Sequence, residues 1–154
     1  MVMRIAFTEE LCTNCHLCSM FCSLAFTKDG IFEFRPSIAR IRVVENGDDT
    51  KYVAHVCLQC ESPACADVCP VEALAKDPET GLVMIDEDEC TGCEMCIEAC
   101  EFDCLFMVDG KAVKCEVCDD PLCVRACAVN ALELTEWDEE SVLEQGELYK
   151  EVRL

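Results

Sequence analysis

The chain is 154 residues long, holds 17 cysteines and few aromatics, and carries a formal net charge of −20. That charge excludes nucleic acid as a partner. The longest uncharged run, Leu11 to Thr27, is broken by four cysteines and polar residues, so no membrane insertion is expected. The opening MVMRIAFTEEL has no apolar stretch long enough for a secretory signal.

Arg4 to Phe7 reads as an apolar strand leading into the first of four cysteine runs, Cys12-x2-Cys15-x2-Cys18-x3-Cys22. Residues 35–42 then hold Arg35, Arg40 and Arg42 with no acid among them. If Ala39, Ile41 and Val43 face inward on a strand, Arg40 and Arg42 project together on its other face, solvated or docked to a partner. A hairpin signal at Asn46-Gly47 and a strand from Tyr52 to Val56 precede the second run, Cys57-x2-Cys60-x4-Cys65-x3-Cys69. Turn residues Pro78 to Gly81 and a strand from Leu82 to Ile85 introduce the third, Cys90-x2-Cys93-x2-Cys96-x3-Cys100. Asp109-Gly110 and a strand from Lys111 to Lys114 introduce the fourth, Cys115-x2-Cys118-x4-Cys123-x3-Cys127. Short helices are expected to fill each run from its second or third cysteine to its fourth. From Thr135 to Leu154 the chain is acidic, with Trp137, Val142, Leu143, Leu148 and Tyr149 interspersed. That segment reads as a frayed end or as a tail lying against another subunit.

A CxxC turn brings two sulfurs to neighbouring corners of a compact inorganic core, and the next turn supplies a third. The fourth comes from elsewhere, because in two-cluster ferredoxins the last cysteine of each run ligates the other cluster. Four runs therefore predict two pairs and four [4Fe-4S] clusters, with the pairing open between sequential and nested orders. Disulfides fit poorly with an odd cysteine count and no secretory signal. Zinc sites do not call for the third and fourth cysteines of each run, four times over. Each oxidised cubane with four thiolates adds about −2, taking the holo-protein to roughly −28 and favouring low potentials. Oxygen-sensitive clusters and reduced thiols point to the cytoplasm of an organism living without oxygen. Metal–ligand free energy substitutes for missing apolar burial, so the apo-protein is expected to be largely disordered. The six scattered glycines form no dinucleotide fingerprint or phosphate loop, and no nucleophile sits with a base, so an enzyme acting alone is not expected.

The runs fall into two types. Runs one and three begin Cys-Thr-Asn-Cys and Cys-Thr-Gly-Cys, placing Asn14 and Gly92, the residues most tolerant of positive φ, where runs two and four carry Gln59 and Val117. The fold class expected is α+β: two ferredoxin-like dicluster modules with short helices and β-hairpins, occupying residues 1–134.

The alternation of CxxCxxCx3C with CxxCx4Cx3C, repeated twice over residues 12–127, resembles the four-cluster electron-transfer subunits of molybdenum and tungsten oxidoreductases. Dimethyl sulfoxide reductase, formate dehydrogenase and nitrate reductase carry such subunits. The resemblance implies nested pairing, with runs 12–22 and 115–127 forming one module around an inserted module at 52–104. It implies that Cys12, Cys15, Cys18 and Cys127 hold one cluster and Cys22, Cys115, Cys118 and Cys123 its neighbour. Cys57, Cys60, Cys65 and Cys100 would hold the third, and Cys69, Cys90, Cys93 and Cys96 the fourth. The short chain and the segment Phe34-Arg-Pro-Ser-Ile-Ala-Arg-Ile-Arg-Val resemble more closely the small polyferredoxin-like subunits beside tungsten aldehyde oxidoreductases. The partners implied are a large tungsten or molybdenum pterin subunit on one side and ferredoxin or a flavin subunit on the other. Exposed terminal clusters would also let copies of the chain associate end to end into cluster chains. The family's proline after the fourth cysteine stands only at Pro70, with Ser23, Glu101 and Ala128 replacing the others, a departure that bears on loop shape and not on ligation.

Cys104, the odd cysteine, falls in register with Ala73 and Ala131 and is expected as a small packed residue, with a spare ligand or redox thiol as the alternative. His16 and His55 are expected to face solvent or bond to backbone, although either could tune a cluster by hydrogen bonding.

Overall fold

A computed structural model of the chain describes residues 2–27, 33–45, 47 and 51–154. The hairpin signal at Asn46-Gly47 lies partly outside the described residues. The strand approaches appear as β1 (Met3–Phe7), β3 (Tyr52–His55), β5 (Val83–Ile85) and β7 (Lys111–Lys114). Their antiparallel partners are β8 (Leu132–Glu136), β2 (Arg42–Glu45), β4 (Leu74–Lys76) and β6 (Leu105–Val108). At the β6–β7 hairpin, Asp109 and Gly110 both adopt positive φ, +49° and +77°, the geometry of a two-residue turn that matches strand twist. Asp77 builds the β4–β5 turn, its carboxylate accepting from the amides of Glu79 and Thr80.

Every sheet among the described residues is a two-stranded ribbon, a unit only marginally stable by itself in water. The ribbons are held by what packs between them. β1 pairs with β8 from Met3 opposite Glu136 to Phe7 opposite Leu132, tying the two ends of the chain together. The run helices are α1 (Leu17–Leu24), α2 (Ala64–Asp67), α3 (Met95–Ala99) and α4 (Leu122–Arg125). α1 lies against α4, and α2 against α3. The larger core joins Ile5, Ile41, Val53, Val56, Leu132 and Tyr149 to several cysteines, and a smaller one gathers Ala73, Leu74, Val83, Leu105 and Ala112.

Two expectations need correction. Residues 36–38 form a 3-10 turn, so the strand begins only at Arg42, and Arg40 does not share an outer face with it. Arg40 is 7% exposed. Its guanidinium turns inward onto Glu87 at 2.6 Å and Glu116 at 3.0 Å, and stacks over Phe26. Arg42 folds back to donate to the carbonyls of Pro36, Ser37 and Ala39.

Nor is the end of the chain frayed. β8 runs across position 134, and Asp138 caps a helix, α5 (Glu139–Glu151), by accepting from the Ser141 amide at 2.8 Å. Of the apolar residues noted there, Trp137, Val142, Leu148 and Tyr149 meet the chain's own body, while Leu143 is exposed. Val142 and Tyr149 are buried. Gln145 accepts from the buried Arg4 guanidinium at 2.7 Å, and Gly146 lies so close to Phe102 that an added Cβ would stand 2.8 Å from the ring.

Candidate cluster-binding sites

The local backbone of the four runs explains how short helices bring sulfurs together. The residue before each second cysteine is left-handed, with φ of +56° at Asn14, +54° at Gln59, +71° at Gly92 and +54° at Val117. For β-branched Val117 this is a real outlier. The turn demands that conformation, so residue type at Gln59 and Val117 gave no warning of it. A second left-handed residue follows the second cysteine in runs one and three, at His16 and Glu94. A third stands three residues beyond the last cysteine at Glu72, Asp103 and Asn130. The chain therefore folds its amides back onto the sulfurs: Ala131 N donates to Cys127 Sγ at 3.2 Å and Arg40 N to Cys22 Sγ at 3.2 Å. Burial raises Cys69, but the amides of Leu74, Val71, Ala73 and Glu72 outweigh it and leave the thiol below its ordinary range.

The thiols assemble in groups drawn from different runs. Cys12 lies within electrostatic reach of Cys15 and Cys127, and Cys18 of Cys12 and Cys15. Cys123 lies near Cys22 and Cys118, and Cys115 near Cys123 and Cys22. Cys65 is grouped with Cys57, Cys100 and Cys60, and Cys96 with Cys90, Cys93 and Cys69. Neighbouring groups also lie within electrostatic reach of each other, through Cys18 with Cys123 and Cys57 with Cys115.

These surroundings fit a cluster. Cys12, Cys15, Cys18 and Cys127 line an open pocket enclosing about 350 Å3 of space, solvent-exposed mouth included, and Cys69, Cys90, Cys93 and Cys96 line one of about 280 Å3, both with mainly apolar walls. Among the described residues no three His, Cys, Asp or Glu side chains are placed to hold a single metal ion. Burial raises Cys18 and Cys60 to about 11, and Cys65 and Cys123 to about 12. Thiolates there would need a neutralising metal centre beside them, which the iron of a bound cluster would supply.

Three other residues noted in the sequence find definite places. Cys104 is 2% exposed. Its sulfur lies 3.4 Å from Val56 O and 3.2 Å from Phe102 O, and its amide points at Cys100 Sγ from 3.5 Å. A hydrogen bond from the Cys104 thiol is the main reason Cys100 falls to about 6. His16 is exposed in the first run. His55 is fully buried between Phe102 O at 2.9 Å and Val152 O at 2.7 Å, its ring stacked on Tyr149. Lys114, unremarked in the sequence, is fully buried with Nζ on Cys115 O at 3.0 Å, and its charge is felt at Cys65.

No helix among the described residues is long and apolar enough to cross a membrane. Comparison with known proteins agrees with the cysteine pattern. An uncharacterized ferredoxin of Methanocaldococcus jannaschii is 38% identical over 90% of this chain and 76% of its own length. The polyferredoxin-like subunit of aliphatic sulfonate oxidoreductase from Pyrococcus furiosus is 36% identical over 80% of this chain and 70% of its own. The thiosulfate reductase electron transfer subunit of Salmonella typhi is 30% identical over 93% and 82%. The active site complex of benzoyl coenzyme A reductase with benzoyl-CoA includes a chain that shares the fold, with a TM-score of 0.51 at 23% identity over 96% of this chain and 87% of that one. The 4Fe-4S dicluster domain model matches residues 49–137, more than half of the chain, and the protein belongs to that family.

Proposed function

We propose that this protein holds four [4Fe-4S] clusters in a line and relays electrons within a larger oxidoreductase. The observation that carries the reading is the grouping of thiols from different runs, with sulfurs of adjoining groups in reach of one another. It favours the nested assignment. Cys12, Cys15, Cys18 and Cys127 hold the first cluster, and Cys22, Cys115, Cys118 and Cys123 the second. Cys57, Cys60, Cys65 and Cys100 hold the third, and Cys69, Cys90, Cys93 and Cys96 the fourth. Runs one and four then make one dicluster module around a second, formed by runs two and three. The contacts of α1 with α4 and of α2 with α3 support that division.

When bound, each cubane supplies one-electron exchange. The chain's own residues position and tune. Amides of Arg40 and Ala131 bond to ligand sulfurs and favour the more negative, reduced state, while the surrounding carboxylates oppose it. The protein is a non-catalytic electron-transfer subunit, as the names of its sulfonate oxidoreductase and thiosulfate reductase relatives imply. Its catalytic partner is a tungsten or molybdenum pterin subunit, with an aldehyde oxidoreductase as the first candidate. Ferredoxin or a flavin subunit stands at the other end, and the setting is the cytoplasm.

Anaerobic purification from the native source tests this. About 16 iron and 16 sulfide per chain, with paramagnetic signals on reduction, are expected. Co-elution with a large pterin-metal subunit supports a relay, whereas an isolated monomer supports a freestanding carrier. A count near eight irons would overturn the four-cluster reading.

A further inference from the structure

Of the 17 cysteines only Cys15 and Cys93 are exposed. Each is the second cysteine of its run, and each shares a cavity wall with an exposed valine from the partner run: Val129, 36% exposed, beside Cys15, and Val71, 39% exposed, beside Cys93. The two lips have one backbone design. His16 and Glu94 occupy the same place with φ of +57° and +64°, and Asn130 and Glu72 correspond at +53° each. Their charges differ. The Cys15 lip has Asn14 and His16 in its wall and exposed Asn130 next to Val129 in the chain, whereas the Cys93 lip has Glu94 and Val71 in its wall, with exposed Glu72 following Val71 and exposed Met95 following Glu94. Among the described residues neither Glu72 nor Glu94 enters an ion pair, unlike Glu87 and Glu116, which hold Arg40.

We infer that the Cys93 lip is the docking face for a redox protein whose own cofactor edge is ringed by lysine and arginine. Unpaired carboxylates on a rim steer a cationic partner and set its orientation, while a small apolar centre excludes water. One electron passes between the nearest cluster and the partner's one-electron centre, so that one is reduced as the other is oxidised and no proton is required. A second copy of this chain is disfavoured there, because two Cys93 lips bring four carboxylates together on molecules of formal charge −20. The inference rests on the cluster assignment above.

The test uses the full holo-protein, reduced with dithionite and desalted anaerobically, with a lysine-rich c-type cytochrome as probe in stopped flow. The isosteric pair Glu72→Gln and Glu94→Gln is compared with Glu140→Gln and Glu144→Gln, exposed on α5, which change net charge equally. At low salt the rim pair is expected to lower the second-order rate constant about fivefold and flatten its salt dependence, the control pair less than about twofold. With ferricyanide, an anionic acceptor, the rim pair is expected to react faster than wild type. Equal responses of the two pairs, with iron content unchanged, would overturn the docking assignment and leave the cluster assignment standing. Wild-type protein without clusters would overturn both. Glu72- and Glu94-dependent dimers in sedimentation would show that the lip serves self-association and would also overturn it.

Discussion

Tyr149 offers the sharpest test of how the chain's end is fastened. It is 0% exposed, and its hydroxyl donates to Ala54 O at 2.7 Å while accepting from Val56 N at 3.2 Å and Gln145 Nε2 at 2.5 Å. Tyr149→Phe keeps the ring and its stacking on His55 but removes all three hydrogen bonds. At about 1 kcal/mol for each lost bond, the cost is about 3 kcal/mol, or roughly a hundredfold in an equilibrium constant. That cost falls on the docked helix, because the detached helix makes none of the three bonds. Hydrogen exchange of residues 139–151, measured anaerobically by mass spectrometry on cluster-loaded protein, reads the detachment directly. The expected result is exchange about a hundredfold faster, whereas Leu143→Ala, at a position 59% exposed, should change it less than about twofold. Acceleration below about threefold in Tyr149→Phe would refute the claim that this hydroxyl secures α5.

Gly92→Ala places a Cβ 2.2 Å from Gly110 O at a residue with φ of +71°, and the turn should lose its site, lowering iron by about four atoms per chain. Gly110→Ala, at φ of +77° but with nothing within 4 Å, should keep its iron and lose only about 1 kcal/mol. Cys104→Ala reproduces the residue found at Ala73 and Ala131, so iron content should be unchanged; a loss of iron would make Cys104 a ligand. In the same variant a redox titration should find one centre shifted to lower potential, because a hydrogen bond to Cys100 is removed. Arg40→Leu leaves half-buried Glu116 without its partner, while Glu87 turns to solvent, and should destabilise by about 2 kcal/mol, with Glu116→Gln recovering part of it in anaerobic thermal denaturation. Stripping the iron by chelation should abolish most far-UV circular dichroism, since two-stranded ribbons do not persist unsupported.

The cysteine runs and their strand approaches were legible because ligand spacing and alternation are local signals. Residue type found the left-handed turns at Asn14 and Gly92 but could not find those at Gln59 and Val117, where the demands of the loop override the preference of the side chain. The clue to those two was their register before the second cysteine. α5 left a readable trace: Asp138 as cap and Val142, Gln145 and Tyr149 at helical spacing form a stripe, which the dense charge around it obscured. Arg40 was misplaced because alternation was extended back over residues 39–41, which link a 3-10 turn to the strand that begins only at Arg42. The pairing of β1 with β8 had no local signal, since it joins residues more than 120 positions apart.

The parts that resisted sequence reading share a purpose in the fold. α5 lays Gly146 against Phe102, two residues past Cys100, and anchors Tyr149 beside the strand that leads to Cys57. The segment ending at Arg40 lies over Cys22 and reaches Glu116 between Cys115 and Cys118. In the proposed assignment each covers a middle group of thiols, of which Cys22, Cys57, Cys115 and Cys123 are buried and Cys60, Cys65, Cys100 and Cys118 half-buried, while Cys15 and Cys93 of the end groups are exposed. A chain of redox centres that is insulated along its length and open at its ends has defined points of entry and exit, and excluding water from the middle strengthens the local electrostatics that set each potential. In the proposed line of centres the cysteine runs supply the ligands, and the late helix and the arginine strap cover its middle while Cys15 and Cys93 stay exposed at its ends.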